Sequence, residues 1–180
     1  ENWNLPKGHL KENRSITVLS SNISGAVKTA QSSVSTEANE ALKTHNQIVR
    51  AALTIKKGLE IKHTGYGIVA SFEQVSDSVD AAIRMQREAS NHNKISPNEP
   101  LHLKIGINTG DTFLEGVDHL ATVAQLSSSI LGKAQAGEIL VSDDVRGICK
   151  GKGYNFSSKG NHEIQGQYAS MHLYEVLWHG

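Results

Sequence analysis

Residues 59–72 read LEIKHTGYGIVASF and predict a β-hairpin. A short extended run begins at Ile61, Gly65-Tyr66-Gly67 forms the turn, and residues 68–72 are the returning apolar strand. Glycine on both sides of one residue lets the backbone turn tightly and push that residue's side chain outward. We therefore expect the hairpin to present Tyr66 at its tip, where a fold can display a functional group.

The composition predicts one domain with a single core. The chain has 180 residues, and its 18 basic and 18 acidic residues cancel. Without a net positive field there is no electrostatic case for binding nucleic acid or an anionic membrane. The single cysteine, Cys149, excludes an internal disulfide framework and favours a cytoplasmic location. No apolar run approaches the length of a membrane span. Because Glu1 is not a methionine, we expect the sequence to be a piece of a longer protein.

Strands are predicted where β-branched and apolar residues cluster between turn signals. A polar arm is expected over residues 1–14, followed by one domain over residues 15–180. Besides the hairpin, strands are expected at 15–23, 101–111, 136–142, 154–156 and 172–176, with 112–116 as a hairpin partner.

Three helices are predicted from apolar residues recurring at three- and four-residue steps, at about 36–57, 75–91 and 119–134. Thr36 is a plausible cap for the first helix and Gly58 a plausible stop. The polar run at residues 91–93 is expected to end the second. The resulting order β-α-β-β-α-β, with additions, indicates an α+β, ferredoxin-like split-βαβ fold. Its sheet is expected to be mostly antiparallel with helices packed on it.

The hairpin resembles the metal-binding hairpin of the class III nucleotidyl cyclases, where Lys-x-x-Gly-Asp-Gly precedes an apolar strand. This chain has KHTGYG at residues 62–67. Two further runs resemble the family in the same order, KIGINTG at 104–110 and AGEILVS at 136–142. The resemblance covers about residues 15–177 and is closest to the bacterial branch. It implies a dimeric domain that converts ATP or GTP to the 3′,5′-cyclic nucleotide and pyrophosphate, with two divalent metal ions between the subunits.

The family's two metal-binding aspartates correspond here to Asn22 and Tyr66. Asparagine offers a neutral carbonyl oxygen and tyrosine a neutral phenol, whereas magnesium prefers carboxylates. No bound metal is therefore expected, and Mg²⁺ or Mn²⁺ is expected only if the domain is an active cyclase.

The family's nucleotide-binding residues are also largely replaced. Its base-reading Asp, ribose-orienting Asn and transition-state Arg correspond to Thr122, Gln125 and Ser129. The lysine that binds the terminal phosphates corresponds to Gln165, and only the base-selecting lysine is kept, as Lys62. Losing one charged contributor typically costs roughly 10²–10³-fold in rate. No intact catalytic residue is expected, and Lys62, Thr122, Gln125 and Gln165 are remnants of a nucleotide site.

These replacements favour a catalytically inactive domain that acts in signal transduction as a homodimer, or as a heterodimer with a cyclase-like partner. In family heterodimers one subunit supplies the metal aspartates and the other supplies the remaining groups, and this chain supplies neither set. Tyr66 either fills the vacant nucleotide pocket or packs across the dimer interface, and we favour the interface because aromatic residues are enriched there. Two alternatives stay open: an active adenylate or guanylate cyclase with unusual ligands, and a sensor that binds ATP or GTP without turnover.

Other candidate residues have simpler interpretations. His45 lies on the apolar stripe of the first helix and is expected to be buried and hydrogen-bonded. The nine histidines form no ligand pair at helical spacing, so a metal site elsewhere is not expected. Gly151-Lys152-Gly153 indicates a turn and Asp143-Asp144 a helix cap. Ser127-Ser128-Ser129 lacks a neighbouring base or elbow pattern, which argues against a serine nucleophile there.

Overall fold

The computed structural model describes residues 15–24, 36–111, 116–164 and 170–179. The predicted arm at 1–14, Gln165 and residues 112–115 of the predicted hairpin partner at 112–116 lie outside these residues. Gly116, the last residue of that predicted partner, begins a helix instead. The described elements are, in chain order, β1 (Ser15–Ile23), α1 (Thr36–Lys56), β2 (Leu59–His63), β3 (Gly67–Phe72), α2 (Val75–Ile95), β4 (Leu103–Asp111), α3 (Gly116–Leu131), β5 (Ile139–Ser142), α4 (Asp143–Cys149), β6 (Asn155–His162) and β7 (Met171–Leu177).

The strands form one sheet in the order β2-β3-β1-β4-β5-β7-β6. All neighbouring pairs are antiparallel except β4 and β5, which are parallel. Strands β1 to β4 with α1 and α2 reproduce the β-α-β-β-α-β order, and β5 to β7 extend the sheet beyond β4. The predicted α+β fold is therefore confirmed. In the part of the chain that the structure describes, no helix has the length and apolar character needed to cross a membrane.

The helices cover both faces of the sheet. Because successive side chains of a strand point to opposite faces, neighbouring residues of β1 join different clusters. Leu19 packs in the main core with Val49 of α1 and Val79 of α2. Val18 packs with Val123 of α3 in a separate cluster. We call these surfaces the α1/α2 face and the α3 face of the sheet.

Helix α2 continues to Ile95, so the prediction that the polar run at 91–93 ends it is wrong. The side chain of Asn93 does not cap the helix but hydrogen-bonds to the backbone of the following loop. Its Nδ2 donates to the Leu101 carbonyl at 2.8 Å, and its Oδ1 accepts from the Leu101 amide at 2.6 Å. The polar residues therefore anchor the return of the chain into β4.

The end of α1 also differs from expectation. The residue in the left-handed conformation is Lys57, with φ 62°, and Gly58 is not in that region. A Cβ on Gly58 would lie 2.6 Å from Leu53 Cδ2 and 2.7 Å from the Phe72 ring. Glycine at this position is thus required by packing between α1 and β3.

Two further boundaries differ from the predictions. Helix α3 covers Gly116–Leu131, and two i→i+3 bonds tighten the chain immediately after it. The cap of α4 is Ser142, whose Oγ accepts from the Val145 amide at 3.3 Å. The predicted cap residues, Asp143 and Asp144, instead occupy the first turn, where negative charge favours the helix dipole.

Candidate functional site

The tip of the β2–β3 hairpin lies beside the end of β1. Gly67 is opposite Asn22 in the sheet, and the Ile23 amide donates to the Tyr66 carbonyl at 2.9 Å. A Cβ added to Gly67 would lie 1.7 Å from the Ser21 carbonyl oxygen and 2.8 Å from Asn22 Oδ1. The structure therefore brings Asn22 and the backbone of Tyr66 together, although 43 residues lie between them in the chain.

Thr64 holds the turn of this hairpin. Its amide donates to the Gly67 carbonyl at 2.9 Å, and its Oγ1 accepts from the amides of Tyr66 and Gly67 at 3.1 and 3.2 Å. Threonine hydroxyls form such local turns readily. The sequence pattern predicts a turn formed by the glycines alone and does not identify Thr64, although threonine in a turn is a recognisable signal.

The two glycines of the turn have different roles from those predicted. Neither Gly65 nor Gly67 has a positive φ, so neither is needed for a left-handed backbone. A Cβ on Gly65 would meet nothing within 4 Å. Only Gly67 is required, because β3 passes too close to the backbone of β1 to admit a side chain.

The charges around the hairpin tip do not fit a divalent metal ion. Asn22 and Tyr66 are both half-buried and present only uncharged oxygens. Lys104 of β4 lies directly opposite Asn22, and Lys62 of β2 is exposed nearby on the hairpin. Mg²⁺ and Mn²⁺ prefer carboxylate and other hard oxygen ligands, and a neighbouring ammonium repels them. Among the described residues, no cluster of three or more His, Cys, Asp or Glu side chains could hold a metal ion.

The three helix residues predicted as replaced site positions lie on α3. Thr122 and Gln125 are exposed, and Ser129 is half-buried. Steps of three and four residues place all three on one side of the helix. Ser129 Oγ donates to the Gln125 carbonyl at 3.0 Å, an ordinary bond to the preceding helical turn. These side chains therefore lie on the part of α3 that faces away from the sheet.

A small polar cluster fixes the opposite side of α3 to the sheet. Ser127 Oγ is 2.9 Å from Ser20 Oγ and 3.0 Å from the Gly106 carbonyl oxygen. A Cβ on Gly106 would lie 2.4 Å from the Leu131 amide nitrogen, so α3 packs directly on the backbone of β4. Ser127 is fully buried, and these hydrogen bonds satisfy its hydroxyl. Ser127 therefore links α3 to both β1 and β4.

His45 is fully buried and hydrogen-bonded, as its place on the apolar stripe of α1 predicts. Its Nδ1 lies 2.8 Å from Asn46 Oδ1, and its Nε2 lies 2.8 Å from Ser21 Oγ. Because Asn46 Oδ1 only accepts, Nδ1 carries the proton and Nε2 accepts from the serine hydroxyl. Burial lowers the pKa of His45 below its ordinary value of 6.5. The group joins α1 to β1 at the residue before Asn22.

An open depression of about 550 Å³ lies at the other end of β1. Its lining includes Ser15, the first residue of β1, together with Thr109, Asp143 and Arg146. None of the residues predicted for a nucleotide or metal site lines it. This depression is therefore separate from the hairpin tip.

Comparison with known proteins matches the chain to one protein family and to solved structures of one fold. The family model described as the adenylate and guanylate cyclase catalytic domain matches residues 9–177. Putative adenylate cyclase 3 from Rhizobium meliloti (strain 1021) is 23% identical over 130 residues. That match covers 71% of this chain but only 22% of the relative.

Two solved structures illustrate the similarity of fold. The adenylyl cyclase CyaB from P. aeruginosa superposes with a TM-score of 0.78 at 19% identity, covering 93% of this chain and 96% of that one. The non-canonical dimeric guanylyl cyclase domain of the RhoGC fusion protein from the aquatic fungus Blastocladiella emersonii gives a TM-score of 0.69 at 16% identity, covering 93% of this chain and 98% of that one. At these identities the likeness concerns the fold alone.

Proposed function

The chain belongs to the adenylate and guanylate cyclase catalytic domain family, and we propose that it is a catalytically silent member that acts in signal transduction by dimerisation. The observation that carries the proposal is the chemistry at the hairpin tip. Asn22 and the backbone of Tyr66 lie together there, and both residues carry uncharged side chains at the positions where the family resemblance implies two aspartates. A family fold with a changed site is common, because function depends on site residues more than on architecture.

Electrostatics supports the loss of metal binding. A divalent ion needs anionic ligands to offset the cost of leaving water. Lys104 lies directly opposite Asn22 in the sheet, and its positive charge has the opposite effect. The positions that correspond to the family's base-reading and transition-state groups, Thr122 and Ser129, also lack charge. A domain with these replacements retains the shape of a cyclase but, of the family's charged site residues, keeps Lys62 alone among the positions described.

Dimerisation is supported by the α3 face of the sheet. Several apolar side chains on this face are only partly buried: Leu59, Val69, Leu126 and Met171. The half-exposed ring of Tyr66 stands at the adjoining hairpin tip, and aromatic side chains are enriched at protein interfaces. A second copy could cover this surface through a two-fold axis, the commonest symmetry of soluble homodimers.

The first experiment measures turnover. Purified protein is incubated with ATP or GTP and Mn²⁺, and cyclic nucleotide is quantified by mass spectrometry. We expect no product above a protein-free blank. The double variant Asn22→Asp, Tyr66→Asp supplies two carboxylates and is expected to bind Mn²⁺ in calorimetry, whereas the unchanged protein does not. Cyclic product from the unchanged protein would refute the proposal.

The second experiment measures association. Sedimentation velocity over a range of concentrations is expected to show a monomer–dimer equilibrium, weakened by Tyr66→Ala. Ile95→Ala is the matched control, because Ile95 is 84% exposed at the end of α2 and removes a similar apolar area elsewhere. A strict monomer at high concentration contradicts dimerisation. Calorimetry with ATP or GTP in the absence of metal tests the sensor alternative, which requires binding without turnover.

A further inference from the structure

An extra residue in β6 changes the direction of its side chains. Ser158 pairs with Tyr174 and Asn161 pairs with His172, so three steps along β6 match two along β7. Gly160, with φ 76°, provides the left-handed backbone of this bulge. In a regular strand, residues three apart face opposite sides of the sheet. The bulge instead places Ser158 and Asn161 on the same side, around His172.

The three side chains form a continuous hydrogen-bonded chain. Ser158 Oγ lies 2.7 Å from His172 Nε2, and His172 Nδ1 lies 3.0 Å from Asn161 Oδ1. The side-chain oxygen of Asn161, Oδ1, can only accept a hydrogen bond. The His172 ring therefore carries its proton on Nδ1, and its Nε2 is the acceptor. The serine hydroxyl therefore donates to Nε2, while its oxygen accepts from the Gly160 amide at 3.3 Å.

This order of groups is that of an activated nucleophile. A hydroxyl bonded to an imidazole, whose other nitrogen is held by a third group, is the arrangement by which serine becomes reactive. Ser158 is exposed and His172 is half-buried, so a reagent in solution can reach the hydroxyl. The Tyr174 ring lies 4.7 Å from the His172 ring and gives the site an aromatic wall.

The protein contains an internal comparison for accessibility. Ser21, His45 and Asn46 have the same residue types in the same hydrogen-bonding order. Ser21 and His45 are fully buried, so no reagent reaches that hydroxyl. The buried and exposed groups share the same hydrogen-bonding order, so a difference in their reactivity reports on solvent exposure and not on hydrogen bonding.

We propose that Ser158 is a reactive serine that is acylated by aryl esters, with His172 as its general base and Asn161 as a positioning residue. In the reaction a bond forms between Ser158 Oγ and the acyl carbon, and the ester carbon–oxygen bond breaks. The hydroxyl proton passes to His172 Nε2 and then to the departing aryl oxygen. The proposal does not depend on the cyclase-like site, because none of its residues belongs to the hairpin or α3.

The test uses p-nitrophenyl acetate with the full chain. Release of p-nitrophenol is followed by absorbance, and peptide mass spectrometry locates the acetyl groups. General-base assistance typically contributes about 10²–10⁴-fold, so we expect Ser158 to be acetylated about 10²-fold faster than the exposed Ser170. Ser21 is expected to stay unmodified in the folded protein.

Variants test each role. His172→Gln is expected to lower acetylation of Ser158 to the level of Ser170. Asn161→Ala is expected to slow the reaction, and Asn161→Asp to preserve it while moving the midpoint of the pH–rate profile upward, because a carboxylate stabilises the protonated ring. Rescue of the rate in Asn161→Asp, which keeps an oxygen acceptor for His172 Nδ1, separates positioning of the ring from a general structural loss in Asn161→Ala. Acetylation of Ser158 no faster than Ser170, or unchanged in His172→Gln, would overturn the proposal.

Discussion

Replacing Gly67 by alanine tests how closely the hairpin approaches β1. The added Cβ would lie 1.7 Å from the Ser21 carbonyl oxygen, whereas real Cβ contacts stay above 3.0 Å. The two backbones must therefore separate by at least 1.3 Å, the difference between these distances. Such a shift lengthens the 2.9 Å bond from the Ile23 amide to the Tyr66 carbonyl beyond hydrogen-bonding range.

The free energy of unfolding is expected to fall substantially. Forcing a methyl group into a packed region costs about 1–3 kcal/mol. Two hydrogen bonds between β1 and the hairpin, at about 1 kcal/mol each, are lost or weakened as well. The total is about 3–5 kcal/mol, a large fraction of the stability of an ordinary domain, which is about 5–15 kcal/mol.

Urea unfolding followed by circular dichroism measures this change. With a slope of about 2 kcal/mol per molar urea, the midpoint for Gly67→Ala is expected to fall by about 1.5–2.5 M. Gly65→Ala is the matched control in the same turn, because its Cβ would meet nothing and its φ is ordinary. That variant is expected to stay within about 0.5 kcal/mol of the parent, or to gain slightly in stability. Equal effects of the two substitutions would refute the argument from close approach.

Two further predictions concern buried polar side chains. Because burial lowers the pKa of His45 in the folded state, the unfolded chain takes up the proton first as pH falls below 6.5. The unfolding free energy should therefore decline as the pH falls below about 6.5, by at most about 1.4 kcal/mol per pH unit; a His45→Gln variant with the same slope would contradict this. Gln86 Nε2 donates to the Leu103 and Glu138 carbonyls at 3.1 and 3.2 Å. Each carbonyl keeps a backbone donor, so Gln86→Leu is expected to cost about 1–2 kcal/mol in thermal unfolding, and an unchanged midpoint would argue against it.

The sequence predicts most elements of the fold because hydrophobic periodicity and turn residues act locally. The strand at 15–23, the hairpin at 59–72 and the helix beginning at Thr36 are found where the pattern places them. Errors arise where a polar side chain binds something distant in sequence. The local pattern predicts a helix stop at Asn93 because the partner of its side chain, Leu101, cannot be identified from local pattern alone.

At the candidate site, too, some features follow from the local sequence and others from contacts between distant residues. Sequence motifs identify Asn22 and Tyr66 as replaced positions, and their uncharged chemistry follows from residue identity. Their roles as former metal positions, and those of Thr122, Gln125 and Gln165, stay predictions. The structure shows that Thr64 stabilises the turn and that glycine at position 67 allows β3 to lie close to β1. Both features depend on how the strands approach one another.

The sequence by itself determined the order of the elements, the hairpin and the uncharged character of its tip, since each depends on residues close together in the chain. Only the tertiary structure decided which side chains meet across strands. Ser158 and His172 are 14 residues apart, and they are joined with Asn161 because one glycine adopts a left-handed φ and adds a residue to β6. That conformation follows from strand register, which is set by the packing of the whole sheet.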